Sequence, residues 1–194
     1  DEELRQQLNM VLETENTAYI DSVLNRVFND EVRLIEAARA RREMMRMMVL
    51  TTGSIAITAN GQNYAYDYGV PSSHKATVTK SWSDPTVDIL ADIQTWQDKI
   101  EADTGVKPTR AVCDRKTWSY IKKNEAISKA VYVYGGGDIL VSDNKVKALL
   151  MEELELEVYV NSKQYISDTG AAVKYVPDDT FVLFPTGNLG FTWF

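Results

Sequence analysis

The run from Asp21 to Leu50 constrains this chain more than any other feature. Val27, Leu34, Ala38, Met45 and Met48 recur at spacings that place them on one face of a helix turning about 100° per residue. At 1.5 Å per residue such a helix carries its apolar stripe over about 43 Å, longer than most helices in compact domains. That stripe needs a large partner surface. Asn29-Asp30 offers a break and a fresh cap inside the run, and Gly53 suits its C-terminal stop.

The last turns of this helix read "RARREMMRMM", residues 39 to 48. With Arg33 one to two turns earlier, five arginines stand against Glu36 and Glu43. A nucleic-acid-binding helix is one reading of that excess. The whole chain argues otherwise: 21 Lys and Arg against 28 Asp and Glu leave a net charge of −7, whereas coating DNA or anionic lipid needs net positive potential. Arg41 and Arg42 flank the apolar stripe at about −40° and +60°, where guanidinium groups can reach out to carboxylates of an adjoining surface. The candidate subunit interface is therefore Arg33, Arg39, Arg41, Arg42 and Arg46. The methionines between them read as core filler rather than a membrane face.

With 194 residues, 44% of them apolar, the chain is long enough for one large domain or two small ones. Cys113 is the only cysteine, so no intrachain disulfide forms, and it reads as a small buried hydrophobe. No stretch reaches the roughly 18 apolar residues of a membrane span. The chain opens on Asp1 and closes on "GFTWF", which reads as a strand cut in mid-sheet and predicts a piece of a longer protein.

Residues 1 to 20 carry a weak helical pattern through Leu4, Leu8, Val11 and Leu12. "SIAITANGQNYAYDYG" alternates on both sides of Asn60-Gly61, the dipeptide of type I′ hairpins. Tyr64, Tyr66 and Tyr68 share a face of its second strand and are expected to pack under a neighbouring element. "KATVTKSW" (75 to 82) reads as another strand, and Ser83-Asp84-Pro85 as a cap followed by a first-turn proline. The helix that follows carries Ile89, Ile93, Trp96 and Ile100 and ends at Gly105.

A short strand is expected around Ala111–Cys113, then Asp114 as the cap of a helix carrying Trp118 and Ile121, and a break at Gly135–Gly137. A helix near 143 to 153 precedes strands at about 155 to 160, 171 to 176, 180 to 184 and 190 to 194, with turns at Asp168-Thr169-Gly170 and Pro177-Asp178-Asp179. The fold class is α+β.

Chemistry is sparse in this pattern. His74, the sole histidine, lies in "GVPSSHKAT" and reads as a solvated loop residue. "YGGGDIL" lacks both phosphate-loop signatures and reads as a flexible turn. Glu152-Glu153, Glu155, Glu157 and Asp178-Asp179 could hold a hard cation. Yet Glu153, Glu155 and Glu157 alternate with Leu154, Leu156 and Val158, which reads as the wet face of a strand. No catalytic, cofactor-binding or metal residues are assigned, and the weight shifts towards an interaction or structural role.

The segments "RREMMRMMVLTTGSIAI", "YDYGVP", "SWSDPTVDIL", "GVKPTRAVCDRKTWSYI" and "YVPDDTFVLFPTGNLGFTW", in that order, resemble the lambda-type major capsid proteins of tailed phages, the phage capsid protein E family, over about residues 21 to 193. The resemblance implies the Hong Kong 97-type capsid fold, with a long spine helix, a peripheral β-ribbon and a mixed α/β axial domain clustered around capsomer axes. On this chain it implies N-terminal helices, spine helix and peripheral hairpin in residues 1–83, the axial domain in 84–161 and return strands in 162–194. Asp21 to Leu50 is then the spine, with Arg42-Glu43-Met44 matching the family's stretch before Leu50 and Gly53.

The implied function is a structural shell subunit enclosing double-stranded DNA, without chemistry of its own. Implied partners are other copies in capsomers, scaffold, portal or decoration proteins, and packaged DNA held non-specifically, with no membrane. The implied location is the virion, with host cytoplasm before assembly. The family's N-terminal arm, its extended loop before the spine and the chain beyond "FTW" have no counterpart here, so this stretch alone is expected to be a monomer or weak small oligomer. Two rivals compete: a small α+β regulatory domain binding DNA through the Arg33 to Arg46 helix, and an enzyme with a site of scattered carboxylates.

Overall fold

The computed structural model describes residues 6, 17–59, 61–132, 141–167 and 170–187. The chain divides into two compact units, Asp1–Met45 and Arg46–Phe194. The expected helix over residues 1 to 20 falls mostly outside the described residues, as do "YGGGDIL" and the strand at 190 to 194.

Helix α1 runs from Thr17 to Thr52 without interruption. Asn29-Asp30 does not break it. Neither residue removes a backbone hydrogen bond as proline would, and each costs only about 0.7 kcal/mol of helix propensity. Its 36 residues span about 54 Å.

In the second unit, α1 ends by a stepwise exchange of hydrogen bonds. The Thr51 and Thr52 hydroxyls donate to the Met47 and Met48 carbonyls at 2.8 and 2.7 Å, and the Gly53 amide donates to Val49 at 2.8 Å. Gly53 then turns the chain at φ 74°. Tyr68 donates to the Gly53 carbonyl at 3.0 Å, which closes the following hairpin onto the helix end. That hairpin pairs β1 (Ser54–Ala59) with β2 (Gln62–Asp67), with Ile55 opposite Tyr66 and Ile57 opposite Tyr64.

Gly53 is required on two counts. Its φ lies in the left-handed region, and a Cβ there would meet Val70 Cγ2 at 2.6 Å. Gly53→Ala should therefore lose about 2–4 kcal/mol, left-handed strain plus overpacking. Gly105, at φ 73° with open space around it, should lose only about 1 kcal/mol as alanine. Urea unfolding of both variants checks this; equal losses would remove the Val70 contact from the account.

"KATVTKSW" is not a strand. No strand pairs with it among the described residues, and its alternation records one-sided anchoring of irregular chain, with Val78 half-buried and Trp82 buried against the core. Pro85 does not open a helix either. Asp84 caps a turn instead, accepting from the Thr86 amide at 2.9 Å. Helix α2 (Ile89–Thr104) starts at Asp88, whose carboxylate accepts from Ala91 at 3.0 Å, and stops at left-handed Gly105. Gln97 is buried on its apolar side because its amide donates to the carbonyls of Pro108 at 2.8 Å and Leu154 at 3.0 Å.

Strand β3 (Arg110–Cys113) is central in a three-stranded sheet, parallel to β4 (Glu157–Val160) and antiparallel to β7 (Phe181–Phe184). Buried from Ala111 to Cys113, it reads as a short continuous apolar run rather than an alternating one. Asp114 caps α3 (Arg115–Lys123), accepting from the Lys116 amide at 2.7 Å and Thr117 at 3.2 Å.

The helix expected after Asp114, carrying Trp118 and Ile121, is α3, and a second short helix follows it directly. Asn124 ends α3 and caps α4 (Glu125–Val131), accepting from Ile127 at 3.1 Å. Helix α5 (Asp143–Leu154) leads into β4. The core lies between these helices and the sheet, with Ile93, Ile121, Ile127, Val146, Leu150 and Leu156 fully buried, each worth about 1.5–3 kcal/mol of burial. A separate pair, β5 (Gln164–Ile166) and β6 (Ala172–Lys174), is antiparallel, with the Tyr165 and Tyr175 rings 5.1 Å apart.

Candidate functional site

Exposed surface of α1 is the leading candidate. Residues 31 to 39 are all exposed, including Leu34 and Ala38 of the apolar stripe; Leu34 is 71% exposed. From Ala40 onward the helix becomes mostly half-buried.

A second line of exposed residues runs along α1 at helical spacing: Phe28, Val32 and Ile35, then Arg39, Arg42 and Arg46. Phe28 is 61% exposed and Ile35 55%. The periodicity is present in the sequence, but the line turns from apolar to basic halfway and so does not register as an amphipathic face. Of the five arginines singled out earlier, this line gathers Arg39, Arg42 and Arg46. Arg33 points elsewhere, 80% exposed, with Asp30 at 3.9 Å on the same helix. Arg41 is half-buried.

The hairpin carries a second open surface. Tyr64, Tyr66 and Tyr68 do not pack under a neighbouring element as expected; all three are exposed. A two-stranded ribbon is marginal on its own in water, and here its only aromatic face is open. Below the helix end, a hollow of about 420 Å³ opens between Met47 and Leu50 of α1 and Val112, Tyr159 and Phe184 of the sheet.

A profile of the phage major capsid protein E family matches residues 2–194. The chain belongs to that family. Its fold is similar to that of a protein of Escherichia coli CFT073 described as a prophage capsid protein, with a TM-score of 0.63 and 19% identity over 89% of this chain and 52% of that one. The chain thus spans about half the length of that structure. At this identity the likeness speaks for the fold, which is an α+β capsid fold. A phage-related protein of Bordetella bronchiseptica RB50, at a TM-score of 0.44 and 19% identity over 56% of this chain and 33% of that one, is too distant to carry an argument. No curated protein matches the sequence.

In this phage major capsid protein E chain, the residues that could bear chemistry are tied into structure. His74 is not a solvated loop residue: it closes a short 3₁₀ turn, Ser72–His74, with its side chain only 16% exposed and Nε2 2.9 Å from Asp103 Oδ2. That contact, with Lys99 behind it, holds the Asp103 carboxyl below the usual carboxylate range. The acidic run is not one strand face. Glu152 and Glu153 end α5, Glu155 sits left-handed at φ 54° after it, and Glu157 starts β4. Cys113 is fully buried, and burial pushes its thiol up to about 12, beyond ordinary reactivity. Among the described residues no three His, Cys, Asp or Glu side chains converge as a metal site would require, and no helix is long and apolar enough to cross a membrane.

Proposed function

We propose that the chain is a structural subunit of an icosahedral tailed-phage or prophage capsid, self-associating into a shell that encloses double-stranded DNA. The observation that carries this reading is the open α1 surface in a chain of the major capsid protein E family. Large apolar side chains such as Phe28, Leu34 and Ile35 stay in water only if nothing else covers them. Neighbouring copies are the natural cover, and Arg39, Arg42 and Arg46 extend the same line as a charged edge, while Arg33 and Arg41 lie about 140° around the helix from it. In this reading residues 1–83 form the peripheral part and 84–161 most of the axial part; the expected return of 162–194 to the ribbon is corrected for Phe181–Phe184, which joins the axial sheet at β3, while β5 and β6 pair with each other. The subunit works in the virion after assembly in host cytoplasm; scaffold, portal and decoration proteins are its further partners, and it has no catalytic role.

Electron microscopy of the complete gene product after expression should show shells, rings or capsomers, and Phe28→Glu/Ile35→Glu should abolish them while leaving far-UV circular dichroism unchanged. Small monodisperse particles from the wild type would overturn the reading. Packaged DNA is held only non-specifically, because few phosphate contacts mean little counterion release. A fluorescence titration against duplexes at about 150 mM salt should find no tight sequence-dependent binding. Such binding, lost in Arg41→Ala/Arg42→Ala, would favour the DNA-binding rival.

A further inference from the structure

A cleft of about 430 Å³ lies where α3 and α5 meet the end of β4, lined by Arg115, Trp118, Lys122, Asp143, Lys147 and Tyr159, with Ser119 beside them. Three cations face one carboxylate there, and that carboxylate is engaged: Lys122 Nζ stands 2.7 Å from Asp143 Oδ1. Lys122 is the main reason the Asp143 carboxyl lies below its usual range, with the Trp118 indole assisting. Lys147 Nζ sits 6.0 Å over the same ring. Arg115 and Lys147 are both exposed, so the cleft has a net positive charge that Asp143, shared between Lys122 and the Trp118 indole, does not neutralise.

The chain has an acceptor of matching chemistry. Glu152 and Glu153 are exposed on the last turn of α5, the helix whose first turns line the cleft. Six residues separate Lys147 from Glu153, which places Glu153 about 9 Å along the helix and about 240° around it. A glutamate side chain cannot bridge that offset within one molecule. Another molecule can.

We propose that this cleft receives the Glu152-Glu153 edge of a second copy of the chain, its carboxylates pairing with the exposed Arg115 and Lys147 at the cleft mouth. This rests on the self-association reading above and names one of its contacts. The contact runs head to tail, each copy's edge in the next copy's cleft, so that repetition about an axis closes a ring or continues as a filament. Its charged groups supply register and salt dependence more than raw affinity.

The test traps the contact in the folded chain. Ser119→Cys/Glu153→Cys places one thiol in the cleft and one on the edge, leaving Arg115, Lys147 and Glu152 in place. Mild oxidation should give a ladder of dimers, trimers and higher species on a non-reducing gel. Adding Arg115→Glu/Lys147→Glu should cut the ladder about tenfold, as should 1 M salt, where screening reaches about 3 Å. The variant with Arg115→Glu/Lys147→Glu in place of the cysteines should stay folded, yet regain association when mixed with Glu152→Lys/Glu153→Lys, which reverses the opposite side. A product limited to the dimers that either single cysteine makes would overturn the proposal. Duplex DNA retained through Arg115 and Lys147 without a ladder would overturn it too, assigning the cleft to phosphate. Shells without a ladder would reject this contact alone; a ladder without shells would reject only the capsid reading.

Discussion

Trp82→Ala should cost the Arg46–Phe194 unit about 3–5 kcal/mol, the range for deleting a buried aromatic. Against a total stability of about 5–15 kcal/mol, that is enough to leave the variant marginal. Trp82 joins α2 to β7. It stacks on Trp96 of α2 with ring centroids 5.5 Å apart, meets Phe181 of β7 edge-on at 5.3 Å, and donates from Nε1 to Asp92 Oδ2 at 2.9 Å. Alanine removes all three contacts and leaves a cavity between helix and strand. Trp82→Phe keeps part of the ring packing and loses the hydrogen bond, so it should fall between wild type and alanine. Urea unfolding followed by far-UV circular dichroism reads both; a loss under about 1 kcal/mol for alanine would contradict this role.

Asn124→Ala is expected to lose about 3 kcal/mol, although it deletes little volume. The side chain is buried and every polar atom is used. Nδ2 donates to the Pro85 carbonyl at 3.1 Å and the Val87 carbonyl at 2.7 Å, while Oδ1 accepts from the Ile127 amide at 3.1 Å. The cap alone is worth about 1 kcal/mol, and loss of the two side-chain hydrogen bonds to Pro85 and Val87, whose carbonyls keep the Glu125 and Ile89 amides at 2.9 and 3.0 Å, adds about 1–3 kcal/mol. Asn124→Asp separates the two roles, since its carboxylate still accepts from Ile127 but offers no donor to Pro85 and Val87. A deficit in the aspartate variant as small as that of an exposed cap would show that the 85–87 tether contributes nothing. Hydrogen exchange at Ile127 and Ser128 reports loss of the cap itself.

Local rules explain much of what was legible beforehand. The α1 run, the β1–β2 hairpin, α2 with its Gly105 stop, the Asp114 cap, α5 and strands β4, β6 and β7 all announce themselves through period, cap or turn residues within a few positions of where they stand. The errors share one cause. At "KATVTKSW" and at Tyr64, Tyr66 and Tyr68, alternation suggests a neighbour, but it records which side chains could be buried and not what lies opposite them. At Asn124 the cap is local, Oδ1 accepting from Ile127 three residues on, but what lets the side chain be buried is its donation to Pro85 and Val87, 39 and 37 positions away. His74 fails the same way: its partner Asp103 is 29 residues distant.

The candidate surfaces divide along the same line. Arginines and apolar residues at helical spacing on α1 are visible in the sequence, and so is their excess of positive charge. Which of them stay open is not, because exposure depends on packing from the rest of the chain. The sequence by itself determined the long helix, its glycine stop, the hairpin and the family signature, since each rests on backbone preferences and on contacts a few residues apart. Only the tertiary structure decided that Phe28, Val32 and Ile35 line up with Arg39, Arg42 and Arg46 in the open, and that Arg115, Trp118 and Lys147 meet in a cleft. The reason is physical: Trp118 and Lys147 lie on helices separated by α4 and the segment leading into α5, and only folding of α3 and α5 against the β3–β4 pair brings their side chains together.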